Sequence, residues 1–244
     1  MLARILLYAP ALLLFSPDAL AWGLQTHLHL AQAALLLPFA DPGLRAAVAR
    51  FPRLVLAGAC LPDLFLAGRA VRTPAFRRAH RWSTLRRIAA APRCEEDLAL
   101  AAGYASHLVS DVVAHNFSVP EHEARLVNVP HATHALAEWA MDHHIGGTER
   151  AAPLLRDPAV EPFVAAAFRC EAPLARRALA FLAGADAFLR ASPLPWLCRQ
   201  LVDRSPFDAW LARAVDTLQG LEAALMGARS DWVDLDPEGL DAGP

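Results

Sequence analysis

Residues 98–115 read Leu-Ala-Leu-Ala-Ala-Gly-Tyr-Ala-Ser-His-Leu-Val-Ser-Asp-Val-Val-Ala-His, a helix-compatible run in which His107, Asp111 and His115 interrupt a mostly apolar sequence. Steps of four residues advance by about 400° around a helix, so these three side chains share one face. A polar stripe of this kind can face solvent, but the flanking residues here are nearly all apolar. Buried ionisable groups need partners or metals that offset their loss of hydration. The stretch therefore predicts a buried helix that presents two imidazoles and a carboxylate to a metal.

A second pair of metal-ligand type lies further along the chain. His134 and Glu138 are four residues apart on a segment that Pro130 is expected to open as a helix. Side chains at this spacing reach one point above the helix surface, which suits a zinc site. His131 lies three residues before His134 and is an alternative ligand at this position.

The first 21 residues have the pattern of a secretory signal peptide. Arg4 precedes an apolar stretch, and Ala19-Leu-Ala21 then matches a small-x-small cleavage site. The apolar run is too short for an ordinary membrane span. Cleavage after Ala21 predicts a secreted or periplasmic protein whose mature chain begins at Trp22. The free α-amine and the carbonyl of Trp22 would then form a chelating pair close to His27.

The ordered set of these motifs resembles the zinc-dependent phospholipase C and S1/P1 nuclease superfamily. The resemblance covers the chain from Trp22 to about Ile145. Its motifs are Trp-Gly-x-x-Thr-His from Trp22 to His27, Pro62-Asp63, His80, His107-x-x-x-Asp111 and His134-x-x-x-Glu138. The resemblance implies an all-α protein, a single multi-helix domain that holds three zinc ions in a cleft between helices.

The resemblance also implies which residues bind each ion. One site would take Asp63, His80, His107 and Asp111. A second site would take His115, His134 and Glu138. A third site would take Trp22, His27 and a bridging Asp111. The spacing of Trp22 and His27 resembles the nuclease branch, whereas Glu138 resembles the phospholipase branch, and the phospholipase branch is the preferred reading.

Clustered zinc ions predict hydrolysis of phosphodiesters or phosphomonoesters. Zinc lowers the pKa of a bound water toward neutrality and neutralises charge on a phosphoryl group during in-line displacement. A zinc-bound hydroxide beside Asp111 would be the nucleophile, and Asp63 would bind zinc while it accepts a proton or orients that water. Asp63 and Asp111 are therefore the predicted catalytic residues.

An arginine-rich segment surrounds His80. Between Leu64 and Cys94 the chain has no Asp or Glu. Its arginines are Arg69, Arg72, Arg77, Arg78, Arg81, Arg86, Arg87 and Arg93. Such a segment beside a zinc ligand predicts attraction of phosphate-bearing substrates or of an anionic membrane surface. A solvated loop is the alternative.

Composition indicates one domain. A chain of 244 residues with 55% hydrophobic content and a net charge of −2 can bury one sizeable core, and no long polar linker divides it. We predict a helical domain over residues 22–229 and an acidic, mobile tail over residues 230–244. The segments that look helical are Asp41–Phe51, Glu95–Asn116, Glu121–Ile145, Ala172–Arg190 and Phe207–Met226.

The cysteines, and the histidines outside the predicted metal sites, are expected to have structural or surface roles. Cys60, Cys94, Cys170 and Cys198 are able to form two disulfides in an oxidising compartment. His29 is about 200° around a helix from His27, so it is not expected to share a metal with it. His122 is expected in a surface turn, and His143 and His144 at the end of a helix.

Three functions from different classes remain open. The first is a secreted phospholipase C-like zinc hydrolase that acts on phospholipids and touches a membrane surface transiently. The second is a nuclease of the same architecture, which needs aromatic platforms for the bases of single-stranded nucleic acid. The nearby aromatic candidates are Phe65, Phe76, Trp82 and Phe117. The third is a non-catalytic, zinc-stabilised or membrane-associated helical protein whose leader is retained.

Overall fold

The structure, a computed structural model, describes residues 23–90, 92–125, 132–201 and 206–227. All regular secondary structure in these ranges is helical, which confirms the all-α prediction. The predicted leader, Trp22 and the acidic tail from residue 230 lie outside the described residues. In chain order the helices are α1 (Leu24–Ala34), α2 (Pro42–Arg50), α3 (Pro52–Ala59), α4 (Leu64–Ala70), α5 (Trp82–Ala89), α6 (Glu95–Val113), a π-helical turn (Ala114–Ser118), α7 (Val119–Arg125), α8 (Ala132–Ile145), α9 (Ala151–Leu155), α10 (Val160–Phe168), α11 (Ala172–Ala191), α12 (Leu194–Leu201), α13 (Phe207–Thr217), a 3-10 turn (Leu218–Gly220) and α14 (Leu221–Leu225).

The predicted helical segments agree with the structure to different degrees. Helices α2 and α11 match their predicted ranges within two residues at each end. The segment predicted to run from Glu121 to Ile145 contains two helices, α7 and α8, and residues 126–131 between them are outside the described part of the chain. The segment predicted from Phe207 to Met226 is divided by the 3-10 turn.

The long helix α6 lies at the centre of the fold. It packs against α1, α2, α3, α5, α13 and α14, and all of its residues from Ala99 to Asp111 are buried. A helix that is apolar on nearly all sides is stable only in the protein interior. At its N-terminus, Glu95, Glu96 and Asp97 complement the helix dipole. The polar residues His107 and Asp111 therefore lie in the interior and not on the surface.

Helices α3 and α6 approach closely at two glycines. A Cβ atom at Gly58 would lie 2.1 Å from the Leu100 carbonyl oxygen, and one at Gly103 would lie 1.8 Å from the Val55 carbonyl oxygen. These are backbone atoms, so no side-chain rotation can relieve the overlap. The close contact matters for the site because α3 ends at Ala59, whose carbonyl group contacts His107.

The N-terminus of α1 is capped by a carboxylate from α8. Asp142 accepts hydrogen bonds from the backbone N–H of Thr26 at 2.9 Å and from its hydroxyl at 2.8 Å. The backbone N–H of Gln25 also points at Asp142, at 3.4 Å. Burial, together with the charge of Asp186, raises the pKa of Asp142 to about 7. The hydrogen bonds from Thr26 and Gln25 act in the opposite direction. Asp142 thus fixes the start of the helix that carries His27.

Replacing Asp142 with Ala is expected to lower the free energy of unfolding by about 2 kcal/mol, because α1 loses its cap and the buried Thr26 hydroxyl loses its acceptor. Urea unfolding followed by circular dichroism measures this change. Asp216→Ala is the control, since Asp216 is exposed on α13. Equal stability of the two variants would contradict the capping role.

One continuous hydrophobic core links α1 to α14. Among the described residues, no helix combines the length and the apolar character needed to cross a membrane.

Two predictions about individual residues are wrong. Cys60, Cys94, Cys170 and Cys198 are all described, and all are unpaired, so the structure has neither of the two expected disulfides. The Cys60 thiol, directly after α3, instead donates to the Leu56 carbonyl oxygen at 3.6 Å and is buried in the core.

His122 is buried in α7 rather than exposed in a turn. Pro120 is the second residue of α7 and follows the π-helical turn Ala114–Ser118, and the chain stays helical through it. The His122 ring packs against Phe207 and Trp210, with ring centroids 5.6 and 4.9 Å away. His29, in contrast, is exposed on α1, and His143 and His144 occupy the last turn of α8 as predicted.

Candidate metal centre

Helix α6 supplies the two central groups of the site. His107 Nε2 lies 3.1 Å from Asp111 Oδ2, and both side chains are buried. His107 Nδ1 lies 2.8 Å from the Ala59 carbonyl oxygen. A carbonyl oxygen only accepts hydrogen bonds, so Nδ1 carries a proton, and Nε2 is the ring nitrogen that faces the carboxylate. Such a second-shell hydrogen bond is how proteins orient a metal-binding imidazole.

Helix α1 adds His27 from the opposite side of Asp111. His27 Nε2 lies 3.4 Å from Asp111 Oδ1, and its ring stacks on that of His107 with centroids 3.5 Å apart. His27 Nδ1 lies 3.2 Å from Ser110 Oγ, whose own proton goes to the His107 carbonyl oxygen at 2.8 Å. Nδ1 of His27 must therefore donate to Ser110, which leaves Nε2 with its lone pair facing the carboxylate.

Asp63 and His80 complete the cluster from the segment around α4. His80 Nε2 lies 3.1 Å from His107 Nε2 and 3.5 Å from Asp63 Oδ1. It also lies 3.8 Å from Asp111 Oδ2. Two side-chain hydroxyl groups help to hold the loop that carries His80. The Tyr104 hydroxyl of α6 donates to the Ala79 carbonyl oxygen, and the Thr84 hydroxyl donates to the Arg78 carbonyl oxygen.

The charges of the cluster suit a cation. Burial by itself would lower the pKa of His107, but the nearby Asp111 and Asp63 carboxylates hold this pKa above its usual value. Despite the same burial, His107 and His27 hold the pKa of Asp111 well below its usual range. Burial lowers the pKa of His27 to about 3, with a further contribution from His107. His27 is therefore uncharged at neutral pH beside a charged carboxylate.

Several ring nitrogens and carboxylate oxygens of the cluster face each other in the protein interior. His27 Nε2 and both Asp111 oxygens are buried and make no hydrogen bond with the described residues. The donors form two overlapping groups that share His107: His27, His107 and Asp111, and Asp63, His80 and His107. Imidazole nitrogen and carboxylate oxygen are the donors that zinc takes in proteins. The chemistry of this donor set therefore fits zinc.

The predicted second site is placed less completely. Glu138 of α8 is fully buried, and burial together with the Asp63, Asp111 and Asp142 carboxylates raises its pKa well above the usual value. His134 belongs to the same helix, but its side chain, like the alternative ligand His131, is outside the described part of the structure.

His115 does not continue the α-helix of His107 and Asp111. It lies in the π-helical turn Ala114–Ser118, whose hydrogen bonds run from residue i to i+5. The four-residue spacing from Asp111 therefore does not put His115 directly above that residue. His115 is half-buried, and burial, with His80 and His107, lowers its pKa to about 4 against the attraction of Asp111. The side chain is thus close enough to the cluster to feel its charges.

Sequence reasoning missed the residues that orient the ligands. Ser110 and the Ala59 carbonyl group determine which ring nitrogens of His27 and His107 face the cluster, and Tyr104 holds the loop that carries His80. A serine among apolar residues on a helix gives no local signal of this role, because its partner His27 lies 83 residues away.

We expect Ser110→Ala to weaken zinc binding about 10- to 100-fold while the fold is kept, because it removes the acceptor that orients His27. Competition with a chromophoric chelator measures the affinity. Ser106→Ala is the matched control: Ser106 is also buried and donates to the carbonyl of Gly103 three residues earlier, but no histidine is bonded to it. Equal zinc affinity of the two variants would contradict the orienting role of Ser110.

The fold and the cluster together define an all-helical protein with a buried site whose donor set suits zinc. The chain belongs to the zinc-dependent phospholipase C family, whose model matches residues 26–162. The matched range includes every predicted ligand except Trp22, which lies just before it. No curated protein and no solved structure matches the chain.

Proposed function

We propose that this protein is a secreted, zinc-dependent phosphoric ester hydrolase of the phospholipase C type. The observation that carries the proposal is the buried convergence of His27, Asp63, His80, His107 and Asp111 within a chain of the zinc-dependent phospholipase C family. A buried set of imidazoles and carboxylates is costly without a cation, so its position between α1, α4 and α6 is explained by a metal.

Three ions would divide these ligands, and the distances among the described residues support the first two sites. Asp63, His80, His107 and Asp111 lie within 4.0 Å of a neighbour in the set and would hold the first ion. Asp111 also faces His27 through its other oxygen, so the same carboxylate would serve the ion bound by His27 and the α-amine of Trp22. His115, His134 and Glu138 would hold the remaining ion.

Zinc, when bound, supplies a water that is activated at neutral pH and neutralises charge on the phosphoryl group. The residues of the chain have separate tasks around it. Asp111 stays ionised because its pKa is held below the usual range. Asp63 has one oxygen directed at His80 and would orient the attacking water or accept its proton. The buried Glu138 would become a charged carboxylate only when a cation offsets its raised pKa.

The aromatic residues near the cluster favour a phospholipid over single-stranded nucleic acid. Of the four candidates for base stacking, Phe76 and Trp82 are buried in the core. Phe117 is exposed, but the Arg213 guanidinium lies over its ring, 3.5 Å from the ring centroid. Phe65 is half-buried with its ring edge against His80. A nuclease needs exposed rings on which bases can stack, so the lipid substrate is the better fit.

The proposal also assigns the leader and the cellular location. Residues 1–21 would be removed on export to the periplasm or the medium, which frees the α-amine of Trp22 for metal binding. Contact with the membrane would be transient, through the arginine-rich surface beside His80.

The proposal is tested on protein exported from its own leader. Intact mass and zinc content are measured first, and turnover of phosphatidylcholine and of single-stranded DNA follows in the same preparation. We expect a mature chain that begins at Trp22, about three zinc ions by the assignment above, and lipid hydrolysis. Hydrolysis of DNA alone would favour the nuclease. A zinc-free protein, or one with its leader retained and no activity on either substrate, would contradict the proposal.

A further inference from the structure

The sequence motif that carries His27 contains two further residues that are not predicted ligands. In Trp-Gly-x-x-Thr-His, Gly23 directly precedes α1, and Thr26 lies in its first turn, one residue before His27. Thr26 is fully buried in spite of its hydroxyl group. Both residues lie against one side chain from another helix, Asp142 of α8.

Asp142 holds the first turn of α1 through its carboxylate. The Oδ1 atom accepts hydrogen bonds from the Thr26 backbone N–H at 2.9 Å and from the Thr26 hydroxyl at 2.8 Å. A Cβ atom at Gly23 would lie 2.2 Å from Oδ2, so a side chain there would push the carboxylate away from the helix. Gly23 therefore gives the carboxylate access to α1, and Thr26 binds it.

This contact decides where the His27 ring can lie. Because successive side chains are about 100° apart around a helix, an anchored Thr26 fixes the direction in which His27 projects. A rotation of α1 by about 10° would move an atom about 6 Å from the helix axis by about 1 Å. A metal-binding group must be held within roughly 0.5 Å of its working position. His27 Nε2 can thus face Asp111 at 3.4 Å only while the first turn of α1 is held in place.

A helix cap alone does not require this arrangement. In α2 the cap is local, because Asp41 directly precedes the helix and accepts from the Leu44 N–H at 2.7 Å. In α1 the residue at the same position is Gly23, which has no side chain to offer, and the acceptor lies 116 positions away in the chain. Asp142 also follows the buried predicted ligand Glu138 by one helical turn. The cap of α1 therefore ties the helix of one predicted ligand to the helix of another.

We propose that Asp142 is a positioning residue for the metal ion that His27 and Asp111 would share. By holding Gly23 and Thr26 it fixes the rotation of α1, so that the zinc affinity of this one ion depends on the Asp142 contact. The inference rests on the proposed function, because it requires zinc at the cluster.

The first test measures zinc affinity by competition with a chromophoric chelator, on the full chain exported from its own leader. Asp142→Ala should weaken the binding of one ion by about 10- to 100-fold, the range for groups that orient a metal ligand, and should leave the other ions unchanged. Asp41→Ala is the matched control, because it removes the cap of α2, which carries no predicted ligand. Its zinc affinities should equal those of the native protein. Unchanged affinities in Asp142→Ala, or the same loss in Asp41→Ala, would overturn the inference.

A pair of variants at Thr26 gives an answer even if Asp142→Ala folds poorly. Thr26→Val keeps the branched shape but removes one of the two hydrogen bonds to Asp142, so it should weaken the same ion by a smaller factor. Thr26→Ser keeps the hydroxyl group and should retain the native affinity. Equal zinc affinities of the valine and serine variants would contradict the positioning role.

Combination with His27→Ala identifies the ion concerned. His27→Ala should itself remove that ion, and the addition of Asp142→Ala should then leave the remaining ions unaffected, because the two residues act on the same site. Further loss of zinc in the double variant would mean that Asp142 acts on the whole fold, and the inference would fail. A native protein without zinc would contradict the proposed hydrolase and this inference together. Native zinc content with unaltered affinities in Asp142→Ala would contradict the positioning role alone.

Discussion

Replacing Asp111 with Asn is expected to abolish zinc binding at two positions and to lower kcat/KM by more than about 100-fold, since even residues that only support a ligand contribute 10- to 100-fold. The reason is geometric: one Asp111 oxygen lies 3.4 Å from His27 and the other 3.1 Å from His107. An amide keeps the shape of the side chain but replaces one of these acceptors with an N–H₂ donor and removes the charge. Zinc content by mass spectrometry and hydrolysis of a soluble phosphodiester measure the two losses.

The same substitution at an exposed site serves as its control. Asp216→Asn on α13 makes the identical chemical change away from the cluster and should retain zinc and activity. The far-UV circular dichroism spectrum of Asp111→Asn should remain helical, because the surrounding apolar contacts are unchanged. If Asp111→Asn kept its full complement of zinc and its activity, the carboxylate would not be shared between ions.

Replacing Gly103 with Ala is expected to lower the free energy of unfolding by about 3 kcal/mol or more, since overpacking against backbone atoms is the costly form of overpacking. The new Cβ would lie 1.8 Å from the Val55 carbonyl oxygen and 2.8 Å from the Ala59 backbone nitrogen. Helices α3 and α6 would have to separate. Zinc affinity should fall as well, because the Ala59 carbonyl group orients His107.

Gly184→Ala makes the same change where space is available. Apart from the local backbone of α11, no atom lies within 4 Å of a Cβ at this exposed position. The substitution should raise stability by up to about 1 kcal/mol, because alanine favours the helix over glycine. Urea unfolding should therefore show changes of opposite sign in the free energy of unfolding of the two variants. A Gly103→Ala protein as stable as Gly184→Ala would mean that the two helices are not held by close backbone contact.

Some of the site could be predicted from the sequence because its signal is local. His107 and Asp111 are four residues apart on one helix, and their apolar neighbours already require burial. His27, Asp63 and His80 are distant in the chain, and their ordered motifs indicated them only through a family resemblance. The structure then brings all five together.

Other features could not be predicted because they depend on groups far apart in sequence. The stacking of His27 on His107 and the Ser110 hydrogen bond need α1 and α6 to be packed first. The π-helical turn that displaces His115 leaves no compositional mark in a run that reads as a continuous α-helix. His122 looked like a surface residue after Pro120, and only the packing of Phe207 and Trp210 shows that it is buried.

The sequence by itself determined the helical class and the metal chemistry of this protein, because hydrophobic periodicity and donor spacing are properties of short segments. Tertiary structure alone decided which nitrogens of His27 and His107 face the cluster and how α3 and α6 meet at Gly58 and Gly103. It also brought Asp142 of α8 to the first turn of α1. These features arise from contacts between distant segments, and such contacts exist only after the core has packed.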